Sequence, residues 1–306
     1  MYFWSSMNIS LILTSYDRQQ DLDRFTNGIC EQSFQGEIEL LYVAQGPARV
    51  QLTDPKASVK VVERNHGARI PLSKARNIGL DGFSGDIIGF PDDDCWYGPD
   101  VLSDVTQYFE AHPEVDCICT RVFDPERQVA LGRRPAGVVR NISFANLFRL
   151  PISVGIFVRR AAFLRAGCYF DESLGAGTSM GAGEETEFIA RLLDHSSVVH
   201  YVGTIQVYHP VPRYTENDAP KQYQYCIGFG YLHGYLIRAG HFSVLLHLAD
   251  VLGRSCVAIV WYCFVPLYRT VYVNRLRGIY QGFKMGLFHT NRVEAEAGKK
   301  TREDLC

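Results

Sequence analysis

The chain has 306 residues, 47% hydrophobic and 21% charged. This composition suits one large domain, or one domain with an appendage, and excludes bulk disorder. The net charge of −2 provides no global field for nucleic acid, which is not expected as a partner. Nine scattered cysteines, with no Cys-x-x-Cys pair, read as reduced thiols of a cytoplasmic protein rather than as a disulfide framework or a zinc site.

The opening, "MYFWSSMNISLILTSYDR", has neither a basic n-region nor a long apolar run, so it does not read as a secretory signal. Residues 1–6 read as a loose extension or an early start. "NISLILTSYDR" then reads as a buried strand and a polar loop. "DLDRFTNGICEQ" has helical spacing at Leu22, Phe25 and Ile29. "EIELLYVAQG" and "SVKVVER" are two further strands. "PLSKARNIGLDGF" is a helix opened by Pro71, "GDIIGF" a strand, and "GPDVLSDVTQYFEAH" a helix with Pro99 near its first turn. Strand and helix alternate, which predicts an α/β domain with a mainly parallel sheet. In such sheets ligands bind beyond the carboxyl ends of the strands.

Further along, "DCICTRVFD" and "ISVGIFVRRAAF" read as strands, the first with Cys117 and Cys119 on one face. "AAFLRAG" is a short helix ended by Gly167. "GAGTSMGAGEETEFIARLLD" is a Gly-rich loop entering a helix, and "SVVHYVGTIQVYHP" a strand pair. Residues 225–292 read as helices. From Arg238 to Arg292 there are seven Lys or Arg and a single acidic residue, Asp250. The apolar run "CVAIVWYCFVPLY", Cys256 to Tyr268, is too short to span a bilayer and is flanked by Arg254 and Arg269. It reads either as an interfacial helix on an anionic membrane or as part of a helical cover on the α/β domain.

The chemistry concentrates at "GFPDDDCWYGPDVL", where the strand around Ile87 ends in Asp92, Asp93 and Asp94. A turn or a helix cap needs one Asp. Three carboxylates after a buried strand suggest oxygen ligands for a hard cation, Mn²⁺ or Mg²⁺. Asp92 and Asp94, one residue apart, point the same way in extended geometry.

This segment resembles the Asp-x-Asp motif of glycosyltransferase family 2, which has the GT-A fold. "LILTSYDR" is similar to that family's first strand and nucleotide-binding loop, which takes in Ser15, Tyr16 and Asp17. "RNHGARIPLSKARNIGL", "GCYFDESLGAGTSMGAGEETEFIARLL" and "VYHP" resemble three further family segments, in order, so the likeness covers about residues 8–212. The resemblance implies a mainly parallel mixed sheet flanked by helices over residues 1–215, a helical extension over 216–292 and a polar tail over 293–306. It assigns Asp92 to the ribose side and Asp94 to the ion, puts Asp93 beside the nucleotide and Arg76 near the diphosphate, and makes His209 a further metal ligand in some members. An ordinary surface or core histidine accounts for His209 equally well on sequence alone. One departure stands out. Where the family's second strand usually ends in acidic residues that meet the base, this chain has "VAQGP", so Gln45 takes that place, its amide carbonyl available to a base N–H.

A second acidic cluster, "GEETEFIARLL", puts Glu184, Glu185 and Glu187 at a helix start, where the helix dipole alone favours them. By resemblance the second position, Glu185, is the general base for an inverting transfer, with Glu184 a candidate. The expected protein is therefore an inverting, metal-dependent glycosyltransferase. It uses a UDP, dTDP or GDP sugar and a glycan or lipid-linked acceptor, at the inner face of the cell membrane. The rivals are a catalytically silent carbohydrate- or membrane-binding protein of the same fold and a sugar-phosphate nucleotidyltransferase. The latter wants a basic, Gly-rich loop after the first strand, and "LTSYDRQQ" has none.

Overall fold

A computed structural model describes residues 7–132, 134–211 and 219–288. The expected extension at 1–6, the boundary at 215–216 and the tail at 293–306 lie outside the described residues. The first half runs β1 (Ile9–Ser15), α1 (Gln19–Cys30), β2 (Glu37–Ala44), β3 (Ser58–Asn65), α2 (Leu72–Gly79), β4 (Ile87–Gly89), β5 (Trp96–Tyr97) and α3 (Val101–Ala111). There follow β6 (Cys117–Asp124), β7 (Val129–Ala130), β8 (Val139–Asn141), β9 (Ile156–Arg159), α4 (Arg160–Arg165), α5 (Glu184–Asp194) and β10 (Val199–Tyr208). Three helices close the described chain: α6 (Ala219–Arg238), α7 (Val244–Trp261) and α8 (Pro266–Phe288).

Among the described residues one mixed sheet forms in the order β3-β2-β1-β4-β9-β6-β10-β5, with β7 added to β6 and β8 to β10. The long pairings, β1–β2, β2–β3 and β6–β10, are parallel. β1 is buried along its whole length, as expected of a strand covered on both faces. β3 closes one edge with Lys60, Glu63 and Arg64, charges that discourage pairing with another chain. One face of the sheet packs on Leu22, Phe25 and Ile29 of α1 and Leu102, Val105 and Phe109 of α3. The other face is covered by α4 and α5. There Phe90, Phe163, Phe170 and Phe188 meet edge-on and tilted at 4.9 to 5.9 Å. Cys117 and Cys119 are both buried in this second layer, as the alternation predicts.

Two expectations are corrected. "SVVHYVGTIQVYHP" is not a strand pair but one strand, β10. Val202 pairs with Thr120 and Gln206 with Arg121, so Gly203, Thr204 and Ile205 bulge out rather than turn back. The bulge forms because Gly203 exchanges backbone hydrogen bonds with the 137–138 segment, and a Cβ there would collide with the Pro135 carbonyl. The run Cys256–Tyr268 is not a single helix either. It is the end of α7, a turn, and the start of α8, because Pro266 lacks the N–H that would continue a helix, while the first position of a new helix does not need one.

α6 and α8 lie side by side and parallel. A Cβ on Gly278 would sit 2.6 Å from the Tyr223 carbonyl, and Cβ atoms on Gly282 and Gly286 would collide with the carbonyls of Ile227 and Tyr231. Spacing of four residues puts these glycines in one row, which lets the backbones touch. α7 runs back between the two helix ends. Its inner face buries Val244, His247, Leu248, Val251 and Ser255. His233 and His247 stack with Phe148. His233 Nδ1 donates to the Phe229 carbonyl (2.8 Å), which leaves its Nε2 to accept from His247 Nδ1 (3.4 Å).

Two outcomes follow for the helical layer. Gly282→Ala would ordinarily stabilise a helix by about 1 kcal/mol. Here it should destabilise the protein by about 1–3 kcal/mol in urea titration, because the added methyl meets Ile227 backbone. A gain in stability would refute the close contact. Burial lowers both His233 and His247 from the ordinary 6.5 to about 4. The folded state holds them neutral, so their contribution is complete above the ordinary value and is lost as pH falls through the window from 6.5 toward 4. Thermal melts should show stability dropping across that window, with a shallower drop in His247→Leu; identical slopes would refute the assignment.

Candidate active site

The three carboxylates at the end of β4 take three different sets of partners. The segment is tied to β1 by a bridge between Thr14 and Asp92. Asp92 Oδ1 accepts from Arg76 Nη2 at 2.8 Å. Asp93 turns toward β1, where its Oδ2 accepts from Ser15 Oγ at 2.7 Å and its Oδ1 from Arg18 at 3.2 Å. Asp94 Oδ2 accepts from Arg18 at 2.8 Å, and its Oδ1 lies 3.1 Å from His209 Nε2. Burial pushes Asp93 up to about 6, against the pull of Ser15 and Arg18. Burial also acts upward on Asp94, but the hydrogen bond and charge of His209, with Arg18, outweigh it and hold this carboxyl below its usual range.

His209 reaches Asp94 through the sheet. β10 pairs antiparallel with β5, Tyr208 opposite Trp96, so the next residue falls beside the acidic segment. The peptide is clamped there: His209 N–H donates to the Phe123 carbonyl at 3.0 Å, and Val211 N–H to Asp124 Oδ2 at 2.8 Å. Burial acts to lower the His209 pKa, yet the bond and charge of Asp94 leave it raised. His209 Nδ1 faces the Pro210 carbonyl at 2.7 Å, which assigns a proton to that nitrogen and aims Nε2 at the carboxylates. Ligand atoms of Asp92, Asp94 and His209 all lie within 4.8 Å of one another. Two carboxylates and an imidazole suit a divalent cation such as Mn²⁺, and the set fits the ligands expected from the sequence.

The second acidic cluster is joined to the first by one side chain. Arg76, on α2, is completely buried; besides Asp92 it reaches Glu184 Oε1 at 3.3 Å through Nη1. α5 starts after Gly183, whose φ of +105° only glycine adopts readily. Gly175, with φ of +96°, leaves room for the Glu184 carboxyl, which an added Cβ would approach to 2.9 Å. Burial, then the neighbouring Glu185 charge, pushes Glu184 up to about 8, with Arg76 pulling the other way. Glu185 instead faces a cleft of about 350 Å³, lined also by Arg134, Phe148, Tyr225, Phe229 and Arg275. Glu187 pairs with Arg191 at 2.6 Å, and Arg191 continues to the carbonyls of Ala166 and Tyr169, so Glu187 braces α5 rather than facing the cleft.

At the nucleotide loop Ser15 is buried against Asp93, while Tyr16 and Asp17 are exposed. The Arg69 guanidinium lies 5.7 Å from the Tyr16 ring centre. Gln45 is buried, and its Oε1 accepts from Ile70 N–H at 2.8 Å. The amide oxygen expected to meet a base thus holds the loop before α2. Sequence reading missed Arg18, which adjoins the "SYD" loop, and the cleft arginines Arg134 and Arg275. Arg18 could have been suspected as a cation next to three carboxylates. Among the described residues Arg134 donates to the carbonyls of Leu131, Leu150 and Pro151, and burial lowers it to about 10. No local pattern marks it.

The sequence profile of Glycosyl transferase family 2 matches residues 10–169. A curated relative, an uncharacterized glycosyltransferase of Haemophilus influenzae, is 24% identical over 204 residues, covering 63% of this chain. The chain spans 64% of that relative's length. Among solved structures, the mannosyltransferase PcManGT from Pyrobaculum calidifontis, in complex with GDP-Man and Mn²⁺, superposes with a TM-score of 0.58 at 15% identity, over 92% of this chain and 88% of that one. S. aureus TarS 1–349, in complex with UDP-GlcNAc, gives a TM-score of 0.52 at 14% identity, over 91% of each chain. At such identities these structures speak for the fold, while the profile covers more than half of the sequence. The chain belongs to glycosyl transferase family 2.

Proposed function

We propose that the protein is an inverting, metal-dependent glycosyltransferase that moves a sugar from a nucleotide-diphosphate sugar to a hydroxyl of a glycan or lipid-linked saccharide. The observation that carries this reading is the buried Arg76, which binds Asp92 on the cation side and Glu184 on the cleft side. It keeps the two acidic clusters adjacent, as a transfer between donor and acceptor requires. The UDP-GlcNAc and GDP-Man in the solved relatives support a nucleotide-sugar donor, and the Mn²⁺ in one of them supports a divalent cation.

In this reading the nucleotide lies over Ser15, Tyr16 and Asp17, with Tyr16 and Arg69 beside the base. Asp92, Asp94 and His209 hold the cation, which when bound neutralises the diphosphate and stabilises it as a leaving group. His209 keeps its Nδ1 proton on Pro210 and offers Nε2. The acceptor enters the cleft, where its hydroxyl meets Glu185. As the acceptor oxygen bonds the anomeric carbon, its proton passes to the Glu185 carboxylate. The bond from that carbon to the diphosphate oxygen breaks, and its electron pair leaves with the diphosphate. Attack opposite the leaving group inverts the centre. Glu184, buried and inclined to keep a proton, orients the first turn of α5 through Arg76.

The cation assignment is tested by titrating UDP and GDP in Mn²⁺ and in EDTA. Binding should be much stronger in Mn²⁺, and Asp94→Ala should remove most of the difference; equal affinity in both buffers refutes it. The base assignment is tested with Glu185→Gln, which should keep nucleotide binding while transfer falls about a hundredfold or more. Glu184→Gln should cost less, because an amide resembles the protonated carboxyl favoured at that buried position. An active Glu185→Gln with an inactive Glu184→Gln would move the base to Glu184. Full activity in both would leave this cluster as a helix start only.

A further inference from the structure

α7 shows two faces of opposite character. Its inner face is packed: Leu248 and Val251 close against Ile279, with Cys226 and Phe229 alongside. Its outer face is apolar and exposed from end to end. Leu245, Leu246, Val257, Val260 and Trp261 recur at helical spacing, with Ala249 and Gly253 between them, and Phe242 and Phe264 extend the stripe in the turns just before and after the helix. Leu246 is 75% exposed, Val260 73%, Trp261 78% and Phe264 94%. Large apolar side chains this open, in one continuous stripe about 27 Å long, are unusual on a surface that meets only water.

The charges around the stripe say what would cover it. Between 251 and 288 there is no acidic residue; the basic residues there are Arg254, Arg269, Arg277 and Lys284, with Arg275 turned to the cleft. Asp250, at the flank, is neutralised by Arg149 at 3.0 Å and Arg254 at 2.8 Å. Tyr262, Tyr268 and Tyr272 cluster at the α7–α8 turn beside Trp261, the residue types that favour a water–hydrocarbon boundary. α7 is long and apolar enough to cross a membrane by length and composition. Its packed inner face, with the buried His247, leaves a single face for lipid.

We propose that α7 lies flat in the interface of an anionic bilayer, its outer face from Phe242 to Phe264 buried among the lipids and its basic flank against their headgroups. Anionic lipid is characteristic of the cytoplasmic leaflet, which agrees with the inner-face placement expected from the sequence. The docking has a consequence for the cleft. Phe229 and Ile279, which pack on α7, also line the cleft that holds Glu185. The cleft therefore sits one helix layer, roughly 10 Å, above the membrane. That last step rests on the proposed function; the docking itself does not.

The test is flotation of the full chain with vesicles of phosphatidylcholine, with and without phosphatidylglycerol. The chain should float with the anionic vesicles and much less with the neutral ones, and high salt should weaken binding. Leu246→Gln with Val260→Gln, both at exposed positions, should reduce the bound fraction at least tenfold while the melting temperature stays unchanged. A fluorophore on the exposed Cys263 should be quenched by a lipid-borne quencher. One on Gln107→Cys, exposed on α3 across the sheet, should not. Absence of flotation overturns the proposal. So does a chain that is dimeric in solution and made monomeric by the double substitution, because a second copy would then cover the stripe. Neither result touches Mn²⁺-dependent nucleotide binding, so failure of the docking and failure of the proposed activity are separately visible.

Discussion

A fully buried guanidinium with an acidic side chain on each side holds this molecule's working parts together. Arg76 stands on α2, receives Asp92 from the end of β4 and Glu184 from the start of α5, and lies 5.4 Å from the ring of Phe170. Burying a charge is costly unless it is paired and hydrogen-bonded. Arg76 could not lie there without the two acids, and Glu184 could not be buried comfortably without Arg76. Removing Asp92, the charged partner, typically costs about 3–5 kcal/mol, since the buried guanidinium is left uncompensated. The residues that would meet the donor and those that would meet the acceptor are therefore tied through one side chain.

The neighbouring contacts divide the acidic triplet into support and supply. Asp93 is committed to Ser15 and Arg18, which fixes the nucleotide loop to the end of β4. Asp94 turns its Oδ1 to His209 Nε2 at 3.1 Å, and Asp92 offers an oxygen within 4.8 Å of both. Arg24 supports the segment from beneath, donating to the Asp94 carbonyl at 3.0 Å while it covers the Trp96 ring. A cluster of like charges thus survives because every member has a cationic or hydrogen-bonding partner on a different element.

The first half of the fold was legible because its signals are local. Buried runs such as "ISLIL" and the Leu22, Phe25, Ile29 spacing are read within a dozen residues, and Asp92 and Asp94 meet as their spacing predicts. What escaped depends on tertiary contact. Gly203 looks like a turn, and its bulge exists only because the 137–138 segment pairs with it. An arginine in a helix normally reads as surface, so the depth of Arg76 was invisible until both acids were in place. The cleft draws residues from 134 to 279, and no window of sequence contains it. Gln45 was legible as a departure, but its bond to Ile70 depends on a loop that only the fold brings near.

The bulge in β10 also acts as a length gauge. Upstream of it the strand is in step with β6 from Cys117 to Thr120; downstream it is in step again from Arg121 to Phe123, with Gly203 to Ile205 absorbed between. Side chains on a strand alternate, so losing one of these three residues with a one-place slip of the strand against β6 would turn every later side chain to the opposite face. His209 would then point away from Asp94, although each residue around the cation site remained unchanged. Tolerance to insertion and deletion in this protein should therefore be lowest at a place with no chemistry of its own.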